Sequence, residues 1–211
     1  MEKEINKYLL ESLPPDAQWV KEMEEQAEEE FIPIMDKVSM NFLMQLIRMT
    51  RPKRILEIGT AIGYSSLRMV EAHPDTKIIT IERDPYRYEQ AVNHIKRYGK
   101  QANIEVVHGD ALEVLADLRT EVAFDLVFID AAKGQYQHFF ELASPLLSTQ
   151  GLILSDNVLF KGYVVNASDV PPKFLKIANK IRAYNQWLAQ HPDYDTSIVP
   201  IGDGIAISYK K

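Results

Sequence analysis

The stretch that decides the fold runs from Arg54 to Ser66 and reads RILEIGTAIGYSS. It opens with a short apolar run, turns at Gly59 and Gly63, and continues as an amphipathic segment from Ser65 or Ser66. This order predicts a strand, a glycine turn and the start of a helix. Glycine suits such a turn because it reaches backbone dihedrals that a Cβ obstructs and lets a ligand come close. The free N–H groups of the first helical turn then attract an anion.

The glycine spacing argues against a nicotinamide dinucleotide fingerprint. The pattern G-x-G-x-x-G would need glycine at positions 61 and 64, where this chain has Ala61 and Tyr64. A tight turn without any ligand would have a similar local sequence, so the turn alone leaves a cofactor undecided. Acidic residues at the ends of later predicted strands favour the interpretation that the turn binds a cofactor.

The composition is that of one soluble globular domain. A chain of 211 residues with 46% hydrophobic and 26% charged residues is long enough for a single sheet domain over residues 1–211. No stretch approaches a membrane-spanning apolar run, and the N-terminus MEKEINKYLL is charged where a signal peptide has an apolar core. We therefore expect a cytoplasmic protein with no membrane partner.

The cysteine and histidine counts and the net charge limit the kinds of site and ligand that this chain can have. Since the chain has no cysteine, disulfides, thiolate metal sites and cysteine nucleophiles are excluded. The five histidines are scattered without ligand spacing, so any metal would be held by oxygen atoms, which suits Mg²⁺ or Ca²⁺ better than Zn²⁺. The net charge of −6 argues against broad non-specific binding of nucleic acid, although a local basic patch could still admit one structured RNA.

Two helices are predicted ahead of the sheet, as a helical cover over residues 1–31. Pro14-Pro15 separates them, and Asp16 can cap the second helix. The acidic run 24–30 is either a solvated face, a cover over the site or a dimer contact.

Short apolar segments alternate with helical segments along the rest of the chain. Such alternation predicts an α/β protein with a Rossmann-like, mostly parallel sheet and helices on both faces. The sequence Gly-Asp-Gly at 202–204 is a hairpin signal, which makes the last strand antiparallel. After the first strand, the predicted strands cover residues 77–81, 104–107, 124–129, 151–155 and the hairpin at 197–209.

Acidic residues follow the second and third predicted strands. In a parallel sheet the ligand crevice lies outside the carboxyl ends of the strands, so these residues converge on one edge. Glu82 can accept both hydroxyls of a ribose, or it is an exposed acid that caps the next helix. Asp110 can accept from an exocyclic amine such as that of adenine, or it only caps the helix that begins at Ala111. Met35, at the start of an apolar helix over 35–49, is a further candidate for a ligand contact.

The next two strand ends carry oxygen ligands. Asp130 follows the fourth strand, and Asp156 and Asn157 follow the fifth. Two carboxylates and an amide oxygen form a hard-cation site with room for substrate oxygens; the alternative is a surface of helix caps. Lys133 would direct its amine at the same substrate oxygen, as a base or as a cation that stabilises an oxyanion. Residues 158–173 lack periodicity and are predicted to form a lid.

These motifs resemble those of the metal-dependent, S-adenosylmethionine-dependent O-methyltransferases, the group with catechol and caffeoyl-CoA O-methyltransferases. The resemblance covers about residues 33–209 and includes LEIGTAIGYSS, FIDAAKGQY, SDNVLFKG and PIGDGIAIS. It implies a seven-stranded sheet, a homodimer, and methyl transfer to a hydroxyl group beside a bound Mg²⁺. It implies that S-adenosylmethionine is held by Gly59, Ser65, Glu82, Asp110, Ala111 and Asp130, that Mg²⁺ is held by Asp130, Asp156 and Asn157, and that Lys133 and Asp130 are catalytic, with Lys133 base-like.

Among the bacterial members, the chain is similar to enzymes that methylate 5-hydroxyuridine at the wobble position of tRNA. This similarity implies the tRNA anticodon loop as the substrate, because the 5-hydroxyl and 4-oxo groups of that base can chelate Mg²⁺ as a catechol does. The alternatives are methylation of a small catechol or hydroxycinnamoyl-type molecule, and a non-catalytic protein that binds S-adenosylmethionine and regulates a partner.

Two further features of the chain bear on the acceptor. Ala131 and Ala132 stand where catechol enzymes place aromatic or histidine residues, which argues against a catechol-type clamp on the cofactor. An RNA acceptor would need basic residues near the cleft. The candidates are Lys161, Lys173, Lys176, Lys180 and Arg182 around the lid, with Arg48, Arg51, Lys53 and Arg54 as a second cluster.

Overall fold

A computed structural model describes residues 2–166, 168 and 170–211, so positions 167 and 169 of the predicted lid lie outside the described residues. The helices are α1 (Glu2–Glu11), α2 (Gln18–Glu29), α3 (Lys37–Thr50), α4 (Tyr64–Ala72), α5 (Pro85–Arg97), α6 (Ala111–Asp117), α7 (Tyr136–Ala143) and α8 (Pro172–Ala189). The strands are β1 (Arg54–Ile58), β2 (Lys77–Glu82), β3 (Ile104–His108), β4 (Phe124–Ile129), β5 (Leu147–Ser155), β6 (Tyr194–Val199) and β7 (Ile205–Lys210). Short 3-10 turns at Lys133–Gln135 and Ser144–Leu146 flank α7.

The strands form one seven-stranded sheet in the order β3-β2-β1-β4-β5-β7-β6. Neighbouring strands among β1 to β5 are parallel, whereas β7 runs antiparallel to both β5 and β6. The prediction of a Rossmann-like, mostly parallel sheet with an antiparallel last strand is confirmed. The strand order reverses between β1 and β4, and ligands of open α/β sheets bind at such a reversal.

Both faces of the sheet are covered by helices, which explains why its central strands are apolar throughout. In β4, Leu126 and Phe128 pack into the core beneath α2 to α5. The alternate residues, Val127 and Ile129, pack into the core beneath α6 to α8. Alternate side chains of a strand point to opposite faces, so a strand between two helical layers needs apolar residues at every position.

The helix starts differ from the sequence prediction in detail. Helix α4 begins at Tyr64, one residue before the predicted start, and Gly63 precedes it with a φ of 85° that favours glycine. Helix α3 begins at Lys37 because the Asp36 carboxylate accepts hydrogen bonds from the backbone N–H groups of Val38 and Ser39. Met35 therefore lies just before α3, whereas the sequence predicted that this helix would begin at Met35.

The prediction that Asp16 caps α2 is wrong. The residue before α2 is Ala17, which makes no side-chain cap, and the Asp16 carboxylate instead pairs with Lys37 and Arg68 at 3.3 and 3.2 Å. These two cations are distant in the chain, and their tertiary contacts with the carboxylate take the place of a local helix cap. Within the acidic run, Glu24 accepts from the hydroxyl of Tyr64 at 2.9 Å and pairs with Lys37 at 2.7 Å, so the run is partly tied to the body.

Within the part of the chain that the structure describes, no helix is both long enough and apolar enough to cross a membrane.

Candidate active site

A cleft of about 320 Å³ opens at the carboxyl edge of the sheet, where the strand order reverses between β1 and β4. Its walls come from the linker before α3 and from the segments that follow β1, β2, β3, β4 and β5. The residues that the sequence placed at the site all line this cleft, and their roles as ligands stay predictions. They are Met35, Gly59, Ser65, Glu82, Asp110, Ala111, Asp130, Lys133, Asp156 and Asn157.

Gly59 brings the first turn directly against the fourth strand. Its φ of 99° favours glycine, and a Cβ at this position would overlap the carbonyl oxygen of Asp130. The backbone N–H of Asp130 in turn donates to the carbonyl of Ile58 at 2.9 Å. The glycine turn and Asp130 therefore form one continuous wall of the cleft.

Glu57 is a buried acid beneath the turn that the sequence analysis did not single out. Its side chain accepts hydrogen bonds from the hydroxyls of Ser65, at 2.5 Å, and Ser66. Burial raises its pKa to about 7, although both hydroxyls oppose that rise. Glu57 fixes the first turn of α4 and the orientation of Ser65 in the cleft wall. A charged residue inside the apolar run ILEI was the signal that could have revealed it.

Glu82 is buried at the end of β2 and does not cap a helix, so the capping alternative for it is wrong. Its two carboxylate oxygens accept from the backbone N–H groups of Ala61, at 2.8 Å, and Asp84, at 2.9 Å. The cap of α5 is Asp84, which accepts from the N–H of Arg87. Glu82 thus holds the glycine turn while it faces the cleft.

Asp110 caps a helix, which is one of the two roles that the sequence left open for it. One of its oxygens accepts from the N–H of Leu112 at 2.9 Å and so caps α6. The same residue lines the cleft, and a carboxylate retains further lone pairs for a ligand. The cap does not exclude the predicted contact with an amine.

Asp130 and Asp156 come from neighbouring strands at the far end of the cleft. Burial is the main cause that raises the pKa of Asp156 to about 8, and the charge of Asp130 adds to it. Burial also raises the pKa of Asp130, which the charge of Lys133 opposes. Burial of two acids beside one lysine thus disfavours their charged forms, which a bound cation would stabilise.

Lys133 and Asn157 complete this end of the cleft. The Lys133 ammonium donates to the amide oxygen of Asn157 at 2.5 Å. Asn157 has a left-handed φ of 55°, and its N–H donates to the Asp156 carboxylate at 2.7 Å. An amide oxygen has two lone pairs, so Asn157 can accept from Lys133 and still face a cation.

The donor set is one for a hard cation. Among residues 2–166, 168 and 170–211, no three His, Cys, Asp or Glu side chains cluster as metal ligands. Two carboxylates and one amide oxygen with a lysine nearby fit Mg²⁺, which keeps several waters and needs few protein ligands. The residues present therefore fit the predicted ion.

Several basic residues predicted near the cleft already have structural partners. Lys180 donates to the carbonyl of Gly134, and Arg182 donates to the carbonyls of Tyr163 and Val164. The cluster around Arg54 lies at the opposite, amino edge of the sheet, because Arg54 begins β1. That cluster cannot form part of the mouth of the cleft.

The chain matches the model of the O-methyltransferase family over residues 11–211. A catechol O-methyltransferase of Niastella koreensis is 33% identical over 178 residues, which cover 81% of this chain and 79% of that protein. A crystal structure from Staphylococcus aureus, assigned provisionally as a caffeoyl-CoA O-methyltransferase, is 37% identical with a TM-score of 0.91 and covers 98% of this chain and 99% of its own. A methyltransferase of Podospora anserina bound to S-adenosylhomocysteine is 25% identical with a TM-score of 0.91, over 100% and 95% of the two chains.

The sheet order, the glycine turn and the acidic cleft define a Rossmann-like methyltransferase. The chain belongs to the O-methyltransferase family, among proteins similar to the caffeoyl-CoA and catechol O-methyltransferases. The predicted family of S-adenosylmethionine-dependent O-methyltransferases is thereby confirmed, whereas the metal dependence and the similarity to tRNA-modifying members stay predictions.

Proposed function

We propose that this chain transfers the methyl group of S-adenosylmethionine to a hydroxyl group that has a second oxygen beside it on the same ring. The observation that carries this proposal is the double position of Asp130. Its backbone lies against the Gly59 turn, where the methyl donor would bind, and its carboxylate is close enough to Asp156 to raise the pKa of that acid. One residue thus joins the donor and acceptor ends of the cleft.

The donor would lie along the wall from Gly59 to Asp110. Glu82 would accept from the ribose hydroxyls, Asp110 from the adenine amine, and Met35 would contact the donor from the linker before α3. Binding of S-adenosylhomocysteine by the relative from Podospora anserina supports S-adenosylmethionine as the donor. The rigid turn, held by Glu57 and Glu82, would position the sulfonium without rearrangement on binding.

Asp130, Asp156 and Asn157 would hold the divalent ion. A bound Mg²⁺ lowers the pKa of a hydroxyl group and orients vicinal oxygens. Lys133, tied to Asn157, would hold its amine beside that hydroxyl and either take up its proton or stabilise the resulting oxyanion. Tyr136 supports the site from below, because its hydroxyl donates to the backbone carbonyl of Asp156 at 2.9 Å.

A small catechol-type molecule is the acceptor that we propose first. Relatives that align with most of this chain are named for the O-methylation of catechol and, provisionally, of caffeoyl-CoA. The cleft volume of about 320 Å³ lies at the lower end of the range for small-molecule sites.

Wobble 5-hydroxyuridine in tRNA is the second candidate, and one feature of the surface favours it. The ammonium groups of Lys161 and Lys173 lie 5.6 and 4.9 Å from the ring centre of Phe174, and both lysines are exposed. An aromatic ring flanked by cations suits an unpaired base and its phosphates. A tRNA substrate would make these lysines, rather than Lys180 or Arg182, the phosphate contacts.

The test is an in vitro reaction with labelled S-adenosylmethionine and Mg²⁺, in which a simple catechol and tRNA carrying 5-hydroxyuridine are offered side by side. Transfer to the catechol alone supports the first proposal, and transfer to the tRNA alone supports the second. Binding of the donor with no transfer to any ring hydroxyl would contradict both and favour a regulatory protein. For variants of the site residues, the matched control is Asp195→Asn, which alters a surface ion pair on β6.

A further inference from the structure

The loop that leaves the carboxylate end of the cleft is clamped by the β6–β7 hairpin. We call residues 157–163 the acceptor loop, because it begins with Asn157. The backbone N–H of Val158 donates to the carbonyl of Gly204, and that of Leu159 donates to the carbonyl of Asp203. The loop thus runs beside the hairpin tip for its first residues.

The next part of the acceptor loop has an unusual backbone. Phe160, Lys161 and Gly162 have φ values of 45°, 57° and 76°, a left-handed turn in which two residues carry a Cβ. Side chains disfavour this conformation, so it persists only where the surroundings impose it. Outside contacts must therefore hold the turn.

The Asp203 carboxylate supplies the contact at the centre of this turn. Its Oδ1 accepts the backbone N–H of Lys161, and the side chain is half-buried. Burial raises the pKa of Asp203, and the charges of Lys133 and Lys161 oppose that rise, while the charge of Asp36 adds to it. Asp203 is thus within electrostatic reach of the predicted acceptor site.

The hairpin tip is itself fixed on the other side. Gly202 has a φ of 56°, and a Cβ there would overlap the Asp36 carboxylate and the Ser39 hydroxyl at the start of α3. Asp36 follows Met35, which lines the donor end of the cleft. The hairpin tip therefore packs directly against the start of α3 on one side and against the acceptor loop on the other.

We propose that Asp203 is a positioning residue that holds Asn157 and the acceptor loop in the geometry needed to bind the methyl acceptor. This inference rests on the proposed function for its kinetic consequence, but its structural consequence is independent of any activity. Asp203 contacts the loop backbone, whereas the donor wall has its own supports in Glu57 and Glu82. Loss of Asp203 should therefore weaken acceptor binding and spare donor binding.

The test compares Asp203→Ala with Asp203→Asn, which keeps an oxygen acceptor for the Lys161 N–H, and with the surface control Asp195→Asn. In Asp203→Ala we expect the KM for the acceptor to rise about tenfold or more, as for loss of a hydrogen bond to a charged group. We expect kcat to change less, the Kd of S-adenosylhomocysteine measured by calorimetry to stay within about twofold, and Asp203→Asn to recover most of the loss.

A second readout needs no activity. Trypsin cuts after lysine, so the rate of cleavage after Lys161 in the folded protein, followed by mass spectrometry, reports release of the left-handed turn. We expect faster cleavage there in Asp203→Ala than in the other two proteins. Equal cleavage in Asp203→Ala and Asp195→Asn would overturn the inference, and so would an equal loss of donor and acceptor binding. If the wild type shows no transfer at all, the proposed function fails while the cleavage and calorimetry arms still decide the role of Asp203.

Discussion

The cofactor turn (residues 57–66) and the carboxylate edge (Asp130, Asp156 and Asn157) both contain buried acids, but the surroundings of these acids differ. Glu57 of the cofactor turn is fully buried and receives hydrogen bonds from two serine hydroxyls. At the carboxylate edge, the Asp130 charge adds to burial in raising the pKa of Asp156, and Lys133 is the cation that opposes both shifts.

This difference indicates that the acid of the cofactor turn has a structural role, whereas the acids of the carboxylate edge are suited to bind a ligand. A buried acid with its hydrogen bonds made stabilises a local conformation, as Glu57 does for the start of α4. Two adjacent buried acids with too little positive charge cost stability, unless a cation joins them. The carboxylate edge therefore has the electrostatics of a binding site, and the cofactor turn has those of its support.

The largest effect that this comparison predicts is that of Asp130→Asn. Asp130 contributes to both ends of the cleft, so the change should lower methyl transfer about a thousandfold and weaken binding of a divalent ion together with it. Initial rates with catechol over a Mg²⁺ titration measure both quantities, with Asp195→Asn as the control. Unchanged turnover with an unchanged Mg²⁺ dependence would refute the assignment of the carboxylate edge.

The acid of the cofactor turn predicts a pH dependence of stability. Burial raises the pKa of Glu57 from 4.5 to about 7, so the folded chain keeps a proton that the unfolded chain releases in this range. The stabilising contribution is fully present below the lower value and is lost as pH rises through the upper value, by at most about 3 kcal/mol.

Glu57→Gln should remove this term. Urea unfolding across the range from about pH 4 to about pH 8 should show the wild type losing stability relative to the variant as pH rises. Glu141→Gln, which alters an exposed acid on α7, provides the comparison. Parallel stability curves for wild type and Glu57→Gln would mean that Glu57 does not titrate in this window.

Lys133 allows the roles at the carboxylate edge to be separated. Lys133→Ala should lower kcat about a hundredfold, the range of a lost general base, and leave the Kd of S-adenosylhomocysteine nearly unchanged. Lys133→Arg keeps the charge but cannot take up a proton near neutral pH. An arginine variant as slow as the alanine variant would identify a base, and recovery by arginine would identify electrostatic stabilisation.

The smallest predicted effect concerns the acceptor. If tRNA is methylated, Lys173→Ala should weaken tRNA binding several-fold, as expected for the loss of about one phosphate contact. The variant should also reduce the dependence of tRNA binding on salt concentration. Transfer to catechol by the same variant should be unaffected, because Lys173 lies outside the cleft. Lys7→Ala, at an exposed position on α1, is the control. Equal loss on both acceptors would place Lys173 in a general structural role.

The parts of the fold and site that follow from local pattern could be predicted from the sequence. Apolar runs such as 124–129 identify buried strands, and the carboxyl ends of parallel strands meet at one edge, which brings Glu82, Asp110, Asp130 and Asp156 together. The hairpin after α8 followed from the Gly-Asp-Gly signal at residues 202–204.

The parts that depend on partners distant in the chain could not be predicted. Asp16 has the right residue type for a helix cap, yet Lys37 and Arg68 take its carboxylate. Arg182 has the right type for a phosphate contact, yet carbonyls of the loop before α8 take its guanidinium. The contact of the Asp203 carboxylate with the backbone N–H of Lys161 likewise arises from a tertiary contact that no local pattern encodes.

The central claim is that the carboxylate edge binds a hard divalent cation on which methyl transfer depends. The most direct measurement is the binding of Mn²⁺, as a paramagnetic substitute for Mg²⁺, to wild type and Asp130→Asn in the presence of S-adenosylhomocysteine, followed by electron paramagnetic resonance. The account predicts one bound ion per wild-type chain and binding at least about tenfold weaker in the variant. Equal binding by both proteins, with methyl transfer undiminished by a chelator, would contradict it.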